Sequence, residues 1–168
     1  MSEHIECERK FLIRMPDLAR LRAWEGVRES EIAQTYLSAP VAVTARVRAR
    51  TENGVTTYTH TEKIRSTVLS AIEREREISR EEYDELLKTK DPERQTIFKT
   101  RFVLPYKGHF CEIDVYPFWQ KQAVLEVELQ SEEEAFSLPD LISVIREVSG
   151  EKAYKNALLA RNIPREED

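Results

Sequence analysis

Eight stretches of the sequence alternate between apolar and polar side chains, and this period of two constrains the fold more than any other feature. Such alternation is typical of β-strands with one face on a core and the other in polar surroundings. The stretches follow one another at hairpin spacing, and the Asn53-Gly54 pair favours a tight turn. We therefore predict antiparallel strands at 4–13, 30–38, 42–50, 55–63, 71–78, 96–104, 109–116 and 123–130.

Shorter segments carry helix signals. Residues 16–24 begin with Pro-Asp and place their apolar side chains at helical spacing. A Ser-x-x-Glu capping box, in which a serine oxygen accepts from the first turn of a helix, occurs at Ser79 and again at Ser131. The first predicts a helix and the second a short turn. Residues 150–163 also show helical spacing, so we predict a C-terminal helix that docks one side on the rest of the chain.

The charged positions within the strands group by sign, strand by strand. One interpretation is a sheet whose charged face is solvated and whose apolar face lies on helices. The other is a closed barrel with the apolar face outside and the charges inside a wet lumen, because a dry interior would not tolerate them. By strand parity the charged face carries Glu6, Glu8, Lys10, Arg46, Arg48, Arg50, Lys63, Glu73, Glu75, Glu77, Lys99, Arg101, Glu112, Asp114, Glu126 and Glu128.

This set contains nine acids and seven bases, so its formal charge is -2. Acids spaced two apart on one strand face present oxygen ligands of the kind that Mg²⁺ or Mn²⁺ prefers. Two such dications would bring the sum to about +2, and the bases of other strands could then hold phosphate oxygens. The acid strands are therefore predicted to bind metal and the basic strands phosphate.

Composition limits the remaining classes. The 168 residues suit one domain, and the net charge of -5 argues against general attraction to nucleic acid or anionic membranes. The chain has two cysteines and no apolar run of membrane-spanning length. We expect a cytoplasmic protein with reduced thiols.

The ordered strand motifs resemble those of the CYTH superfamily, the triphosphate tunnel metalloenzymes. The first is the ExExK pattern of "ECERK" at 6–10, and the resemblance spans nearly the whole chain. It implies one α+β domain over 1–168, an eight-stranded antiparallel closed β-barrel, or tunnel, with helices packed outside. The further matches are "QTYL" (34–37), "RVR" (46–48), "TEK" (61–63), "ERE" (75–77), "KTR" (99–101), "EIDVY" (112–116), "LEVEL" (125–129) and "YKN" (154–156).

The resemblance also implies residue roles. Carried over by position, the Mg²⁺- or Mn²⁺-binding acids would be Glu6, Glu8, Glu75, Glu77, Asp114, Glu126 and Glu128. The phosphate-binding bases would be Lys10, Arg46, Arg48, Lys63, Lys99 and Arg101, with Lys152 as a further contact. Lys63 and Tyr36 match a pair linked to hydrolysis. The chain departs from the family pattern at Glu73 and Ala153, where the family usually has arginine.

Short bacterial-type members of the family are similar to inorganic triphosphatases. The resemblance therefore implies hydrolysis of tripolyphosphate to pyrophosphate and phosphate. The alternatives are another CYTH activity, namely nucleoside or thiamine triphosphatase or adenylyl cyclase, and a polyphosphate-binding module without turnover. The expected partner is a small-molecule triphosphate, with no nucleic acid and no membrane, and a homodimer is one option for assembly. RNA binding through Arg46, Arg48 and Arg50 is disfavoured by the acidic balance and by the lack of interleaved aromatics.

Overall fold

The computed structural model of the chain describes residues 2–167, and eight long strands dominate it. Every predicted strand is present, with both ends within two residues of the sequence expectation. Alternation was therefore a sufficient signal for these elements. The strands are β1 (Ser2–Arg14), β2 (Arg28–Leu37), β3 (Val43–Glu52), β4 (Val55–Arg65), β5 (Ser70–Ile78), β6 (Ile97–Tyr106), β7 (His109–Val115) and β8 (Gln122–Glu128).

The eight strands close into an antiparallel barrel. They are hydrogen-bonded in the order β5-β4-β3-β2-β6-β7-β8-β1, and β1 pairs in turn with β5. β1 closes the ring because it divides its partners: residues 8–14 pair with β8, whereas residues 2–7 pair with β5. The predicted closed barrel is confirmed, and the open sheet with a solvated face is excluded.

The apolar face of the barrel points outward, as the parity predicted. Phe102, Ile113 and Leu125 are fully buried on this face, although they lie on the outside of the barrel wall. They are covered by Leu21 of the first helix and by apolar side chains of the 131–142 segment, including Phe136. This outer cover leaves the inward positions free for polar side chains.

A ninth strand, β9 (Val144–Glu147), lies outside the barrel and was missed in the sequence. It pairs with residues 11–13 of β1, and the register shifts between Leu12 and Ile13. Four residues are too few for an alternation of apolar and polar side chains to be recognised in the sequence. β9 therefore extends the sheet beyond the closed ring.

Two helices match their predictions. α1 (Leu18–Arg22) begins after Asp17, whose carboxylate accepts from two backbone amides. α2 (Arg80–Leu87) begins after Ser79, and its Tyr83, Leu86 and Leu87 pack against the outer wall of the barrel. Within residues 2–167 no helix combines the length and the apolar composition that crossing a membrane requires.

The prediction of a continuous C-terminal helix is wrong. The segment forms a 3₁₀ turn at Lys152–Tyr154 and one helical turn, α3 (Asn156–Leu159), with Lys155 extended between them at φ -73° and ψ 138°. The backbone carbonyl of Tyr154 accepts a hydrogen bond of 3.2 Å from Lys10 Nζ. That carbonyl is thus held by the barrel, which is consistent with a break at this point.

The two Ser-x-x-Glu motifs give a matched stability test. Ser79 Oγ accepts from the backbone amide of Glu82 at 3.1 Å, whereas at Ser131 it is the backbone carbonyl that accepts, from the amide of Glu134. We expect Ser79→Ala to lower the free energy of unfolding by about 1 kcal/mol, because it removes a helix cap. Ser131→Ala is the control, with little change expected. Equal losses in urea denaturation would contradict the assignment of Ser79 as the cap.

Candidate active site

The barrel encloses a cavity of about 760 Å³, walled mainly by alternate residues of its strands. Twelve of the fifteen predicted site residues line it, because successive side chains of a strand point to opposite faces. The prediction that the charged positions converge on one space is thus met for most of the set. The twelve are Glu6, Glu8, Lys10, Tyr36, Arg46, Arg48, Lys63, Glu75, Arg101, Glu126, Glu128 and Lys152.

The cavity is closed toward one end of the barrel. Beyond Lys10 and Glu126, the next inward positions of the same strands are Leu12 and Val124, both buried. These side chains form one apolar cluster with Tyr154 and other residues of the C-terminal segment. The segment therefore packs against this end of the barrel and contributes several residues to the cavity wall.

One side of the cavity carries Arg46 and Arg48, and the charge of Arg48 is poorly compensated. Burial, reinforced by the charges of Arg46 and Arg101, lowers the pKa of Arg48 to about 9. Arginine stays protonated in proteins, so this shift indicates an unfavourable charge energy rather than a neutral side chain. The Nε atoms of Arg46 and Arg48 are buried and have no hydrogen-bond partner within residues 2–167. A bound anion would relieve both the repulsion and the unmet donors.

The opposite side contains a pair of carboxyl groups. Burial, together with the charge of Glu126 and a hydrogen bond to it, raises the pKa of Glu8 well above its usual range. Burial alone would also raise the pKa of Glu126, but Lys10, whose Nζ lies 3.2 Å from Glu126 Oε1, and the bond to Glu8 hold it well below its usual range. The two groups are therefore arranged to share a proton, which Glu8 holds more readily than Glu126 does.

The acidic residues show oxygen donors but no completed metal site. Among the described residues, no group of three or more His, Cys, Asp or Glu side chains is placed to hold a metal ion. Two carboxyl groups that share a proton are, however, a place where a dication could replace that proton. The metal role of the acids stays a prediction.

Lys63 and Tyr36 both line the cavity but engage different groups. Lys63 Nζ lies 2.6 Å from Glu6 Oε2 and 3.6 Å from Glu73 Oε2. The Tyr36 hydroxyl accepts a hydrogen bond of 2.8 Å from Gln34 Nε2. No hydrogen bond joins Lys63 to Tyr36 in the part of the chain that the structure describes. Lys63 therefore lies between two carboxylates, and the more distant one, Glu73, stands where the family resemblance led us to expect arginine.

Three predicted site residues do not line the cavity. Glu77 is exposed near the end of β5. Asp114 is 1% exposed and accepts from Lys99 Nζ at 2.8 Å and from Arg101 Nε at 2.7 Å. Burial would raise the pKa of Asp114, but these two cations hold it well below its usual range. Asp114 therefore lies in an ion cluster inside the barrel but beyond the cavity, level with Val124, and Arg101 reaches the cavity from that cluster.

Lys99 is the most constrained base of this cluster. Its side chain is fully buried, and burial lowers its pKa to about 7 even though Asp114 raises it, because Arg101 and Arg48 add repulsion. One carboxylate does not compensate three cations in a dry environment. The phosphate-binding role predicted for Lys99 therefore stays a prediction without a direct contact to the cavity.

Comparison with known proteins shows which solved structures this chain resembles. No protein-family model and no curated protein matches the chain. Among solved structures, the inorganic triphosphatase NE1496 is 29% identical, with 95% of this chain and 97% of that chain covered and a TM-score of 0.57. The PH1819 protein of Pyrococcus horikoshii is 21% identical, with 77% and 80% covered and a TM-score of 0.61. The chain therefore has the same fold as these CYTH-type proteins.

A further CYTH-like structure shows the same fold at greater sequence distance. A Bacillus halodurans protein described as a candidate adenylate cyclase is 17% identical, with 79% of this chain and 84% of that chain covered and a TM-score of 0.54. At this identity the match concerns the fold alone. Proteins named for different activities thus share the CYTH barrel, so the choice among those activities depends on the site.

The cavity of the barrel is also lined by residues outside the predicted site set. Arg65 lies two positions after Lys63 on β4, so strand parity could have found it. Glu73 on β5 and Glu112 on β7 also line it, at positions that strand parity had placed on the charged face. Further lining residues belong to the first strand, to a loop or to the C-terminal segment, where no motif indicated them. They include His4, Asp91, Arg94, Lys155 and Arg161.

These additional residues change the sign of the formal charge of the cavity lining. Ten Lys and Arg side chains and eight Asp and Glu side chains line it, which leaves a formal excess of two positive charges. The inward strand positions alone had predicted -2. The difference comes from Arg65 on β4 and from bases of a loop and of the C-terminal segment.

Proposed function

We propose that this protein hydrolyses inorganic tripolyphosphate to pyrophosphate and phosphate with Mg²⁺ or Mn²⁺. The observation that carries the proposal is one cavity in which Arg46 and Arg48, whose buried Nε atoms have no hydrogen-bond partner among the described residues, accompany the carboxyl pair Glu8 and Glu126. Phosphoryl transfer mainly requires positioning and charge neutralisation, which such a cavity can supply. The 29% identity to an inorganic triphosphatase over nearly the whole chain supports this substrate.

The bases would bind the phosphate chain from several sides. Arg46, Arg48 and Arg101 are suited to forked contacts with non-bridging oxygens, and Lys10 acts as a point charge. Lys152 would contribute from the C-terminal segment, which lines the cavity. The unmet Nε donors of Arg46 and Arg48 are the groups that a phosphate would satisfy first.

The acids would hold the metal. Their donors are all carboxylate oxygens, which fits Mg²⁺ or Mn²⁺, and the proton shared by Glu8 and Glu126 would leave on binding. When bound, such a dication supplies charge stabilisation to phosphoryl oxygens. The acids proposed for this role in the cavity are Glu6, Glu8, Glu75, Glu126 and Glu128.

Lys63 and Tyr36 would act on the substrate from separate positions. Lys63, whose Nζ lies 2.6 Å from Glu6 Oε2, would hold this metal-binding acid in place until a phosphate oxygen takes over the contact with the lysine. Tyr36 would contact a phosphate oxygen through its hydroxyl, which opens on the same cavity. The chain thus supplies orientation and neutralisation from the two strands that flank β3.

A phosphate-release assay tests this proposal. We expect the purified protein to release phosphate from tripolyphosphate faster than from ATP, thiamine triphosphate or pyrophosphate, and only when Mg²⁺ or Mn²⁺ is added. Faster turnover of ATP or thiamine triphosphate would assign another triphosphatase activity. Tight tripolyphosphate binding without phosphate release under either metal would instead identify a binding module and overturn the proposal.

A further inference from the structure

A buried chain of hydrogen bonds connects the basic wall of the cavity to Tyr36. Arg48 Nη2 donates to Gln34 Oε1 at 2.9 Å, and Gln34 Nε2 donates to the Tyr36 hydroxyl at 2.8 Å. Gln34 is fully buried, and Tyr36 is 2% exposed. Gln34 lies outside the predicted site set. It comes two residues before Tyr36 and therefore points to the same face of β2.

The chemistry of the three groups fixes the direction of these bonds. A guanidinium only donates, so the amide oxygen of Gln34 must face Arg48 and its NH₂ group must face Tyr36. The Tyr36 oxygen therefore accepts, and its own hydrogen is left to donate. No side chain or carbonyl within residues 2–167 accepts that hydrogen, and Tyr36 lines the cavity.

The ring of Tyr36 is held as well as its hydroxyl. The guanidinium of Arg94 lies over the ring, 5.5 Å from its centroid, and the ring belongs to the buried apolar cluster of Leu12 and Tyr116. Rotation about the C–O bond is then the main freedom left to the hydroxyl, and the hydrogen bond from Gln34 restricts it. The remaining orientation sends the O–H toward the charged cavity.

We propose that Gln34 is a positioning residue, which fixes Tyr36 as a hydrogen-bond donor to a phosphate oxygen of the bound substrate. The inference rests on the proposed triphosphatase function and deepens it. It assigns Tyr36 the role of a donor and not that of a base paired with Lys63, whose ammonium group is held by Glu6. Because Gln34 also contacts Arg48, the same amide aligns a phosphate-binding arginine with the tyrosine.

Gln34→Glu reverses the direction of the bond with almost no change in shape. An ionised glutamate still accepts from Arg48, but it cannot donate to Tyr36 and instead accepts the tyrosine hydrogen. We expect Gln34→Glu and Tyr36→Phe each to lower kcat/KM for tripolyphosphate by about tenfold or more, the loss of one hydrogen bond to a charged group. Once Gln34→Glu is present, adding Tyr36→Phe should cost less than about twofold.

The double-mutant cycle separates this role from a structural one. An equal fold-loss from Tyr36→Phe in the wild-type and Gln34→Glu backgrounds would overturn the inference, because Gln34 would then not act through Tyr36. Gln95→Glu, which adds the same charge at an exposed position outside the cavity wall, is the matched control, with kcat/KM expected to be unchanged.

Folding and the underlying activity are checked separately. If Gln34→Glu melts more than a few degrees below wild type, the cycle is run with Gln34→Met instead. The fold-loss of kcat/KM caused by Gln34→Met should then be at least about threefold smaller in the Tyr36→Phe background than in the wild type. An undiminished loss would again overturn the inference. A wild-type protein that releases no phosphate refutes the proposed function, whereas an active wild type with an additive cycle refutes only the role of Gln34.

Discussion

Asp114→Asn is expected to lower the free energy of unfolding by about 3–5 kcal/mol, the largest stability effect of any single polar substitution in the barrel. The carboxylate is buried and accepts from both Lys99 and Arg101, at 2.7–2.9 Å. An asparagine has one carbonyl oxygen and no charge, so two buried cations would lose their counterion. Urea denaturation of the metal-free protein measures the effect.

Glu112→Gln is the matched control for this prediction. Glu112 Oε2 lies 2.8 Å from Nη1 of the same Arg101, but its side chain is 25% exposed and water can replace the bond. Glu112→Gln should lower the free energy of unfolding by at most about 1 kcal/mol. If Asp114 acts mainly as a metal ligand, as the family resemblance implied, Asp114→Asn would instead leave the metal-free stability nearly unchanged, and the ion-cluster interpretation would be refuted.

The ion cluster of Asp114, Lys99 and Arg101 also contributes to the loss of folding stability at low pH. The pKa of Asp114 is held well below its usual range by Arg101 and Lys99 against the effect of burial, so the folded state favours the ionised form. This contribution is complete above the unfolded value of about 3.9 and is lost as the pH falls below it. Between pH 5 and pH 3 Asp114→Asn should therefore lose less stability than the wild type, which paired urea titrations can measure.

The strands of the barrel could be predicted from the sequence because strict alternation of apolar and polar side chains is typical of β-strands and of few other structures. A strand pattern specifies its own faces, and a one-residue slip would exchange Glu8 with Cys7 or Arg46 with Val47. Most inward charges were placed correctly for this reason. The order of family motifs then supported closure, which parity alone had left open between a barrel and a solvated sheet.

Sequence reasoning missed features that depend on contacts between distant segments. The pairing of Asp114 with Lys99 and Arg101 needs the β6–β7 register, which no motif states. The C-terminal helix was predicted from local spacing, but Lys10 holds the Tyr154 carbonyl where the chain turns extended. The positive cavity arises because loop and C-terminal bases such as Arg94 and Lys155 enter it, and such segments have no periodicity.

Glu8→Gln should abolish metal-dependent turnover while leaving the metal-free fold intact. In the metal-free protein burial and Glu126 raise the pKa of Glu8, which is hydrogen-bonded to Glu126, and glutamine has nearly the same shape as the protonated acid and can donate the same bond. The amide cannot act as an anionic ligand, so a dication would lose one of its charges. We expect kcat to fall by at least about 100-fold, since metal stabilisation of phosphoryl oxygens is worth several kcal/mol.

Two measurements separate the metal role of Glu8 from a structural one. The melting temperature of Glu8→Gln in chelator should equal that of the wild type, whereas the rise on adding Mg²⁺ or Mn²⁺ should be lost. Glu3→Gln, on the same strand but exposed and paired with surface Arg74, is the control and should keep both turnover and the metal-induced rise. A Glu8→Gln protein with full activity would refute the assignment of this acid to metal, because the carboxyl pair could then serve only to position Lys10.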